Sequence, residues 1–357
     1  MNKHIKNKLL FFIISMLVIF AMSGCSISFK KGDGGGTDGG VYVTVDKGNI
    51  WQHKILIPTI SGRPKDIAML NANSLAMDPS DEKAIYFGSV DNGLFYTYDS
   101  AQNWQIASNL SKETINYIAI DPSSKCIIYS AILNKVYKST DCNRTWSQVY
   151  YDNDIETKVN NIAIDHYDSA NVYIGTSRGE IIKSSDRGAN WQTIGRFEDE
   201  VKEIAISPHD SRVIFVATAK KGIYRSKDKG INWINLQDEL KDFQDNLKFR
   251  DLVLAEADQG RILLATSYGL LESTDNGDTW SKIELITPEK KAIINAIAVS
   301  PKNSKEIYYV TDTTFYRSLD GGKNWATKKL PTTRAGWRLL IDPNDTNIIY
   351  LGVRTIK

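Results

Sequence analysis

Apolar residues in this chain occur in short runs separated by turns. Residues 118–120 lead through Asp121-Pro122 to residues 127–129, and the same arrangement recurs at 162–164 with 172–174 and at 297–299 with 307–309. Short β-branched runs bounded by Asp-Pro turns are typical of strands. The pattern therefore predicts strand pairs repeated along the chain, and no long helix.

A second pattern, Ser/Thr-x-Asp-x-Gly-x-x-Trp, follows these strand pairs and is called the box below. Seven copies occupy residues 44–51, 97–104, 139–146, 184–191, 226–233, 273–280 and 318–325, and they hold seven of the eight tryptophans. Successive box tryptophans are 53, 42, 45, 42, 47 and 45 residues apart. This period is typical of propeller blades.

Each residue type in the box suits a tight turn between antiparallel strands. Glycine accepts positive φ, Asn143 can replace it in the third box, and Ala101 departs from the pattern in the second. The carboxylate can accept bonds from the turn's N–H groups, and the indole can cover the gap between sheets. A structural role is therefore expected for Asp46, Asp99, Asp141, Asp186, Asp228, Asp275 and Asp320, and for Trp51, Trp104, Trp146, Trp191, Trp233, Trp280 and Trp325.

Six complete units, each with four strands, fit between residues 71 and 330. The remaining strands are 41–44 and 54–58 at the start and 337–341 and 348–353 at the end. Together they complete a seventh blade, which leaves no long edge open. The prediction is an all-β, seven-bladed β-propeller of four-stranded antiparallel blades, closed by N- and C-terminal strands in one shared blade. Residues 41–357 would form this single domain.

The boxes resemble the BNR, or Asp-box, repeat of sialidase-like β-propellers. In that family the box joins the third and fourth strands of a blade and lies away from the ligand-binding face. The resemblance therefore implies that ligands bind at the opposite face, where strand 2 meets strand 3 and where one blade passes to the next. The chain also resembles the photosystem II assembly and stability factor-like family, which implies a non-catalytic scaffold used in assembling a membrane complex.

The first residues have the features of a secretory signal. Three lysines precede an apolar run at 9–22 that is too short to span a bilayer, and Met22-Ser23-Gly24-Cys25 looks like a bacterial lipobox. We expect cleavage of residues 1–24, a lipid on Cys25 and a Gly-rich tether up to residue 40. The protein would then be extracytoplasmic and lipid-anchored to a bacterial membrane; an uncleaved signal anchor is the alternative.

The mature chain would be almost neutral. The whole chain has 44 basic and 42 acidic residues, and removing residues 1–24 leaves 41 against 42, a net charge of −1. Such a balance gives no field to attract nucleic acid, so no nucleic-acid partner is expected. We expect a monomer that needs no cofactor, and no Cys/His spacing indicates a metal site. Cys126 and Cys142 are predicted at the same end of one sheet, where an oxidised pair would fit.

Basic residues gather in the connections of the predicted ligand-binding face. Six arginines are candidates for binding a carboxylate or an acidic protein surface around the central opening, with scattered solvated charge as the alternative: Arg63, Arg178, Arg196, Arg250, Arg334 and Arg338. Leu236, Leu240, Phe243 and Leu247 follow helical spacing after Asn235. This insert is either a helical lid or a packed excursion.

No catalytic residue is identified. Sialidases place three arginines on the substrate carboxylate, and the segment here that corresponds to their first arginine is Leu56-Ile57-Pro58. The related two-propeller endoglucanases hold their acids between two rings, and this chain has length for one. We therefore predict a membrane-tethered, non-catalytic propeller that binds a protein or glycan. A divergent glycoside hydrolase, sialidase-like or glucanase-like, is the alternative.

Overall fold

The structure, a computed structural model, describes residues 36–356 apart from residues 61 and 247. The predicted signal segment, Cys25 and the tether up to residue 35 lie outside the described residues. Within residues 36–356, no helix has the length and apolar character that crossing a bilayer requires.

Seven four-stranded antiparallel sheets confirm the predicted fold class. Each blade runs strand, turn, strand, loop, strand, box, strand, and the first strand of every blade lies nearest the ring axis. Blades 1 to 3 are Ala72–Asp78, Asp81–Ser89, Leu94–Thr97 and Gln105–Ile106; Ile115–Asp121, Ser124–Ile132, Lys135–Ser139 and Ser147–Tyr151; and Val159–Ile164, Val172–Thr176, Glu180–Ser184 and Gln192–Arg196.

Blades 4 to 6 have the same order of elements. Their strands are Val201–Ile206, Ile214–Thr218, Ile223–Ser226 and Ile234–Asn235; Phe249–Leu254, Ile262–Thr266, Leu270–Ser273 and Ser281–Ile283; and Ala296–Ser300, Asn303–Val310, Thr314–Ser318 and Ala326–Lys329. Blade 7 combines Ala335–Ile341 and Ile349–Arg354 with Gly40–Thr44 and Gln52–His53.

The two ends of the chain close the ring as predicted. Gly40–Thr44 pairs antiparallel with Ile349–Arg354, with Tyr42 opposite Leu351. Val41 and Val43 pack with Phe87 and Trp104 of blade 1, so the shared blade also builds the apolar contact with its neighbour. Burial of large side chains of this kind, at about 25 cal/mol per Å² of apolar surface, is the main force that holds adjacent blades together.

Every box forms a turn between the third and fourth strands. In the first box the Thr44 hydroxyl donates to Asp46 Oδ1 (2.6 Å), which also accepts from the N–H of Ile50 (2.9 Å). Two successive residues have positive φ in all seven boxes, for example 57° at Lys47 and 90° at Gly48. Such a pair is the geometry of a type I′ hairpin turn. Ala101 adopts it too, at 65°, in a turn where Asp99 still accepts from the Thr97 hydroxyl and from the N–H of Asn103.

Cys126 and Cys142 are paired as a disulfide that joins the second strand of blade 2 to the third box. The N–H of Cys142 also donates to the carbonyl of Cys126 (3.2 Å). The bond therefore fixes a box turn to its own sheet at the end of the ring that carries the boxes.

The fourth strand of blade 7 lies before the predicted residues 54–58. It is Gln52–His53, and Leu56–Ile57 instead pairs with Lys65–Asp66 in a separate hairpin. The chain leaves the sheet after Lys54 because its next carbonyl groups bind to blade 1 instead. The indole N–H of Trp104 donates to the Lys54 carbonyl (2.8 Å), and the backbone N–H of Trp104 donates to the Leu56 carbonyl (2.7 Å).

The helix predicted after Asn235 is replaced by turns. Asn235 accepts from the N–H of Gln237 (3.0 Å), and the only helical element described there is a 3₁₀ helix at Lys241–Asn246. Leu236 and Leu240 are fully buried between blades 4 and 5. The segment is therefore a packed excursion, although Leu247 lies outside the described residues.

The last five residues of the predicted tether are fixed to the ring. Asp38 accepts from the Thr333 N–H and hydroxyl (both 2.7 Å), and these bonds help to lower its pKa to about 2 against the opposing effect of burial. Arg334 donates to the carbonyl of Gly36 (2.7 Å). The chain therefore enters the ring at the face opposite the boxes, where Gly40–Thr44 begins.

Candidate functional site

The first strands of the seven blades surround a central channel, and one equivalent position on each strand supplies a ring of side chains. This throat ring is Ser74, Tyr117, Asn161, Glu203, Asp251, Ala296 and Arg338. The Tyr117 hydroxyl of blade 2 reaches Glu203 of blade 4 (3.1 Å), which shows that these side chains meet at the axis. Six polar side chains from six blades therefore surround one small space.

A β-bulge precedes each polar member of the throat ring. Register shifts occur before Ser74, Asn161, Glu203, Asp251 and Arg338, and near Tyr117, whereas the strand carrying Ala296 has none there. An extra residue bends the strand and redirects its side chains. The bulge residues therefore lie one level above the ring, at the opening of the channel on the face opposite the boxes.

In blades 1 to 3 the bulge residue is an asparagine that joins neighbouring blades. Asn73, Asn116 and Asn160 each donate to a carbonyl in the first strand of the next blade, at 2.9 to 3.0 Å. In blades 4, 5 and 7 the same position is Lys202, Arg250 or Trp337. On one side of the opening, asparagine side chains therefore link neighbouring blades by hydrogen bonds. On the other side, charged and aromatic side chains line the opening.

A cavity of about 350 Å³ lies on that charged side and is called the channel mouth below. The residues lining it come from blades 4 to 7 and the loops before them: Lys202, Glu203, Phe249, Arg250, Asp251, Ile294, Asn295, Trp337 and Arg338. A space of this volume accepts a small group or the end of a chain, with Phe249 and Ile294 as its apolar wall.

Two guanidinium groups, those of Arg250 and Arg338, line the channel mouth, and that of Arg354 lies beside Trp337; none of the three forms an ion pair with a described carboxylate. Arg354 donates to Asn73 Oδ1 (2.8 Å). Arg250 is exposed, and Arg338 donates to the carbonyl of Trp337 (3.1 Å). The guanidinium carbons of Arg354 and Arg338 lie 4.7 and 5.6 Å from the centre of the Trp337 ring. Burial and the positive charge of Arg338 lower the pKa of Arg354. Guanidinium groups gathered in this way favour an anion, and carboxylates suit their planar fork.

Two carboxylates lie deeper, in the throat ring. Glu203 Oε1 accepts from the Asn161 amide (2.9 Å) and the Tyr117 hydroxyl, and Asp251 accepts from the N–H groups of Leu252 (3.0 Å) and Ile297 (2.7 Å). Burial and the negative charge of Asp251 raise the pKa of Glu203 to about 7. Burial also raises the pKa of Asp251 to about 6, although Arg338 opposes the change in both groups.

The structure brings two of the six predicted arginines, Arg250 and Arg338, to the channel mouth. Arg334 is elsewhere: its side chain is 5% exposed, pairs with Asp38 and donates to backbone carbonyls. Arg178 and Arg196 both bind Glu180, at 2.6 and 3.1 Å. Arg63 lies exposed in the hairpin between blades 7 and 1. Four of the six therefore do not converge on the opening.

Several residues of the site were not singled out from the sequence. Trp337 is the one tryptophan outside the boxes, which was a usable signal. Aligning the seven first strands would have placed Tyr117, Asn161, Glu203 and Asp251 in one column, but the bulge that turns them inward has no mark in the sequence. Among the described residues, no three His, Cys, Asp or Glu side chains form a group suited to a metal ion.

One family model matches part of the chain. The model described as "Sortilin, neurotensin receptor 3" matches residues 134–262, which lie in blades 2 to 5. No curated protein matches the chain.

Solved structures match over most of the chain. The GH74 xyloglucanase from Xanthomonas campestris has 17% identity and a TM-score of 0.64, covering 80% of this chain and 51% of its own. This chain is a seven-bladed propeller. YCF48 bound to D1 peptide has 16% identity and a TM-score of 0.60, with 84% and 95% covered. The extracellular domain of BT4673 from B. thetaiotaomicron has 16% identity and a TM-score of 0.59, with 86% and 44% covered.

These matches support the fold and leave the activity open, because all three identities are below 20%. The chain spans about half the length of the GH74 enzymes it matches, and almost the full length of YCF48. GH74 enzymes, a protein solved with a bound peptide and an extracellular domain share this architecture.

Proposed function

We propose that this protein is a lipid-tethered, extracytoplasmic, non-catalytic binding module that holds a protein or glycan partner through an acidic group at the channel mouth. The observation that carries the proposal is one cavity lined by Arg250 and Arg338, with Arg354 beside Trp337 at its edge, and none of the three guanidinium groups is paired with a described carboxylate. Arg338 and Arg354 are half-buried and donate only to neutral acceptors, so a bound carboxylate would supply the opposite charge that they lack. A role in assembling a membrane complex would suit such a module.

The path of the N-terminal residues supports a partner close to the membrane. Gly36 is bonded by Arg334 at the face that carries the channel mouth. Ten residues separate it from Cys25, the proposed lipid site. Even when fully extended, a chain of this length spans at most about 40 Å. A lipid on Cys25 would therefore keep the channel mouth near the bilayer, and it would leave the boxes on the distant side.

One neighbour gives independent support. YCF48, which this chain matches over 95% of YCF48's length, has been solved with a bound D1 peptide. A propeller of the same extent therefore has room for a polypeptide ligand. The proposal for this chain rests on its own cavity, since the identity of 16% carries the fold alone.

Titration of the full-length chain in detergent micelles with small carboxylates tests the proposal. Acetate probes the group itself, N-acetylglycine represents the end of a polypeptide and glucuronate represents an acidic glycan. We expect saturable calorimetric binding that Arg250→Gln and Arg338→Gln each weaken about tenfold or more, as loss of a charge-assisted bond does. Arg63→Gln, an exposed arginine of the same face, should leave binding unchanged. Equal binding by all four proteins would refute the proposal.

A glycoside hydrolase is the second candidate, favoured by one observation. Glu203 has a pKa raised to about 7 by burial and by Asp251, as a general acid requires. Glycosidases need a second carboxylate free to attack or to activate water, and both oxygens of Asp251 are taken by backbone N–H groups. Hydrolysis of sialyl or glucan substrates that disappears in Glu203→Gln would establish this function instead.

A further inference from the structure

We infer that the channel mouth binds a zwitterionic group, with its carboxylate at the arginines and its protonated amine in the throat between Glu203 and Asp251. The inference rests on the proposed function, to which it adds a second, deeper contact. The inference is based on two layers of opposite charge that lie one residue apart along the same strands. Arg250 lies above Asp251, and Lys202 lies above Glu203.

The charges of the two layers do not cancel within the protein. In the throat, ionised Glu203 and Asp251 face one cation, Arg338, so one negative charge is left over. In the layer above, Lys202 is paired with Glu200 (2.7 Å), whereas Arg250 and Arg354 have no acidic partner within the described residues. A ligand with one negative and one positive group matches both layers, and a simple anion matches only the upper one.

The throat also offers a free acceptor. Asn161 and Tyr117 hold Glu203 by Oε1, and within residues 36–356 no protein group donates to Oε2. An ammonium carries three donors and needs acceptors of this kind. Phe249 and Ile294 line the same cavity, and an apolar wall strengthens the attraction between the ligand's amine and the carboxylates.

Protonation of the throat should control this contact. The charged and titratable groups that influence Glu203 are Asp251 on the neighbouring blade, Arg338 on blade 7 and Tyr117 on blade 2. Because the pKa of Glu203 is raised to about 7, both carboxylates are ionised at pH 8 and lose their charge below about pH 6. Binding of the amine should therefore weaken as the pH falls through this range.

The test compares carboxylates with and without an amine on the full-length chain in micelles. At pH 8, calorimetry would measure acetate against glycine, β-alanine and 4-aminobutyrate, and against N-acetyl-L-lysine, which represents a lysine at the end of a polypeptide. We expect at least one amine-bearing ligand to bind tenfold or more tightly than acetate. A gain confined to N-acetyl-L-lysine would identify a polypeptide source, and a gain among the short amino acids would identify a free amino acid.

The isosteric variant Glu203→Gln should abolish the gain, so that amine-bearing ligands bind it no more tightly than acetate does, whereas Glu113→Gln, an exposed residue of the same face, should preserve the gain. A gain that is absent in the wild type, or that survives in Glu203→Gln, would overturn the inference while the carboxylate site stands. Failure of acetate itself to bind would count against the proposed function as well. Circular dichroism of each variant verifies that the ring is folded.

Discussion

Arg334 connects four segments at the point where the ring closes, and its replacement by methionine is the sharpest test of that closure. Its guanidinium donates to Asn71 Oδ1 (2.8 Å), to the carbonyls of Leu70 (3.0 Å) and Gly36 (2.7 Å), and pairs with Asp38 (3.4 Å). Asn71 Oδ1 also accepts from the N–H of Thr355 (2.8 Å), so the C-terminal residues belong to the same network.

The cost of Arg334→Met follows from which acceptors lose their only donor. Leu70 keeps the N–H of Gly40 and Asn71 keeps that of Thr355, whereas the carbonyls of Gly36 and Met69 lose this donor and Asp38 loses its cation. Breaking a buried pair on one side costs about 3 to 5 kcal/mol, and because Asp38 is 25% exposed we expect the lower end of this range, about 3 kcal/mol. With an unfolding entropy of about 2.1 cal/mol/K per residue, a ring of roughly 320 residues should lose about 4 to 5 °C in Tm.

Thermal unfolding followed by circular dichroism measures this shift, and Arg63→Met supplies the matched control. Arg63 is exposed on the same face, so its change should stay within about 0.5 kcal/mol. Below about pH 4 the difference between Arg334→Met and wild type should shrink, because the pKa of Asp38 is lowered to about 2 and its stabilising charge is lost as the pH falls toward that value. A shift under 1 °C at pH 7, or acetate binding that falls with the Tm, would refute this account of Arg334.

Three further predictions concern the ring. Hydrogen bonds within the boxes lower the pKa of Asp141, Asp186, Asp228 and Asp320 to about 2, so Tm measured from pH 5 to pH 2.5 should fall steeply below about pH 4; a flat profile would contradict the bonding described. Reduction of the disulfide between Cys126 and Cys142, which are 16 residues apart, should cost about 3 kcal/mol, read as a Tm shift with dithiothreitol that the double serine variant does not show. Val41→Asp places an unpaired charge in the closing strand and should abolish cooperative unfolding, whereas exposed Val45→Asp should not; equal Tm values would show that the shared blade is dispensable.

Most of the architecture was predictable because it repeats. Each box carries its own turn chemistry, so seven copies fixed the number of blades, and the unpaired strands at the two ends required a shared blade. The fourth strand predicted at residues 54–58 was wrong in position because Trp104 donates to the carbonyls of Lys54 and Leu56, a contact about 50 residues away that no local pattern reveals.

The site was less predictable because it depends on bulges. An extra residue in a strand exchanges the faces of its side chains, so period-two alternation cannot tell whether Arg250 or Asp251 points to the axis. The positions of the arginine side chains were also hard to predict, because they depend on which carboxylates of the chain they pair with. Arg178 was predicted as a candidate for binding an acidic partner at the opening, yet Glu180 and Asp152 of its own chain pair with it at 2.6 and 3.0 Å.

The central claim is that recognition takes place at the channel mouth. A photo-reactive amino acid in place of Lys202, at the mouth, or of Ile231, an exposed residue of a box, would measure this in the native membrane. We predict a discrete crosslinked product from position 202 that disappears when Arg338→Gln is added, and none from position 231. Products from position 231 alone, or a product at 202 that is indifferent to Arg338, would contradict the account.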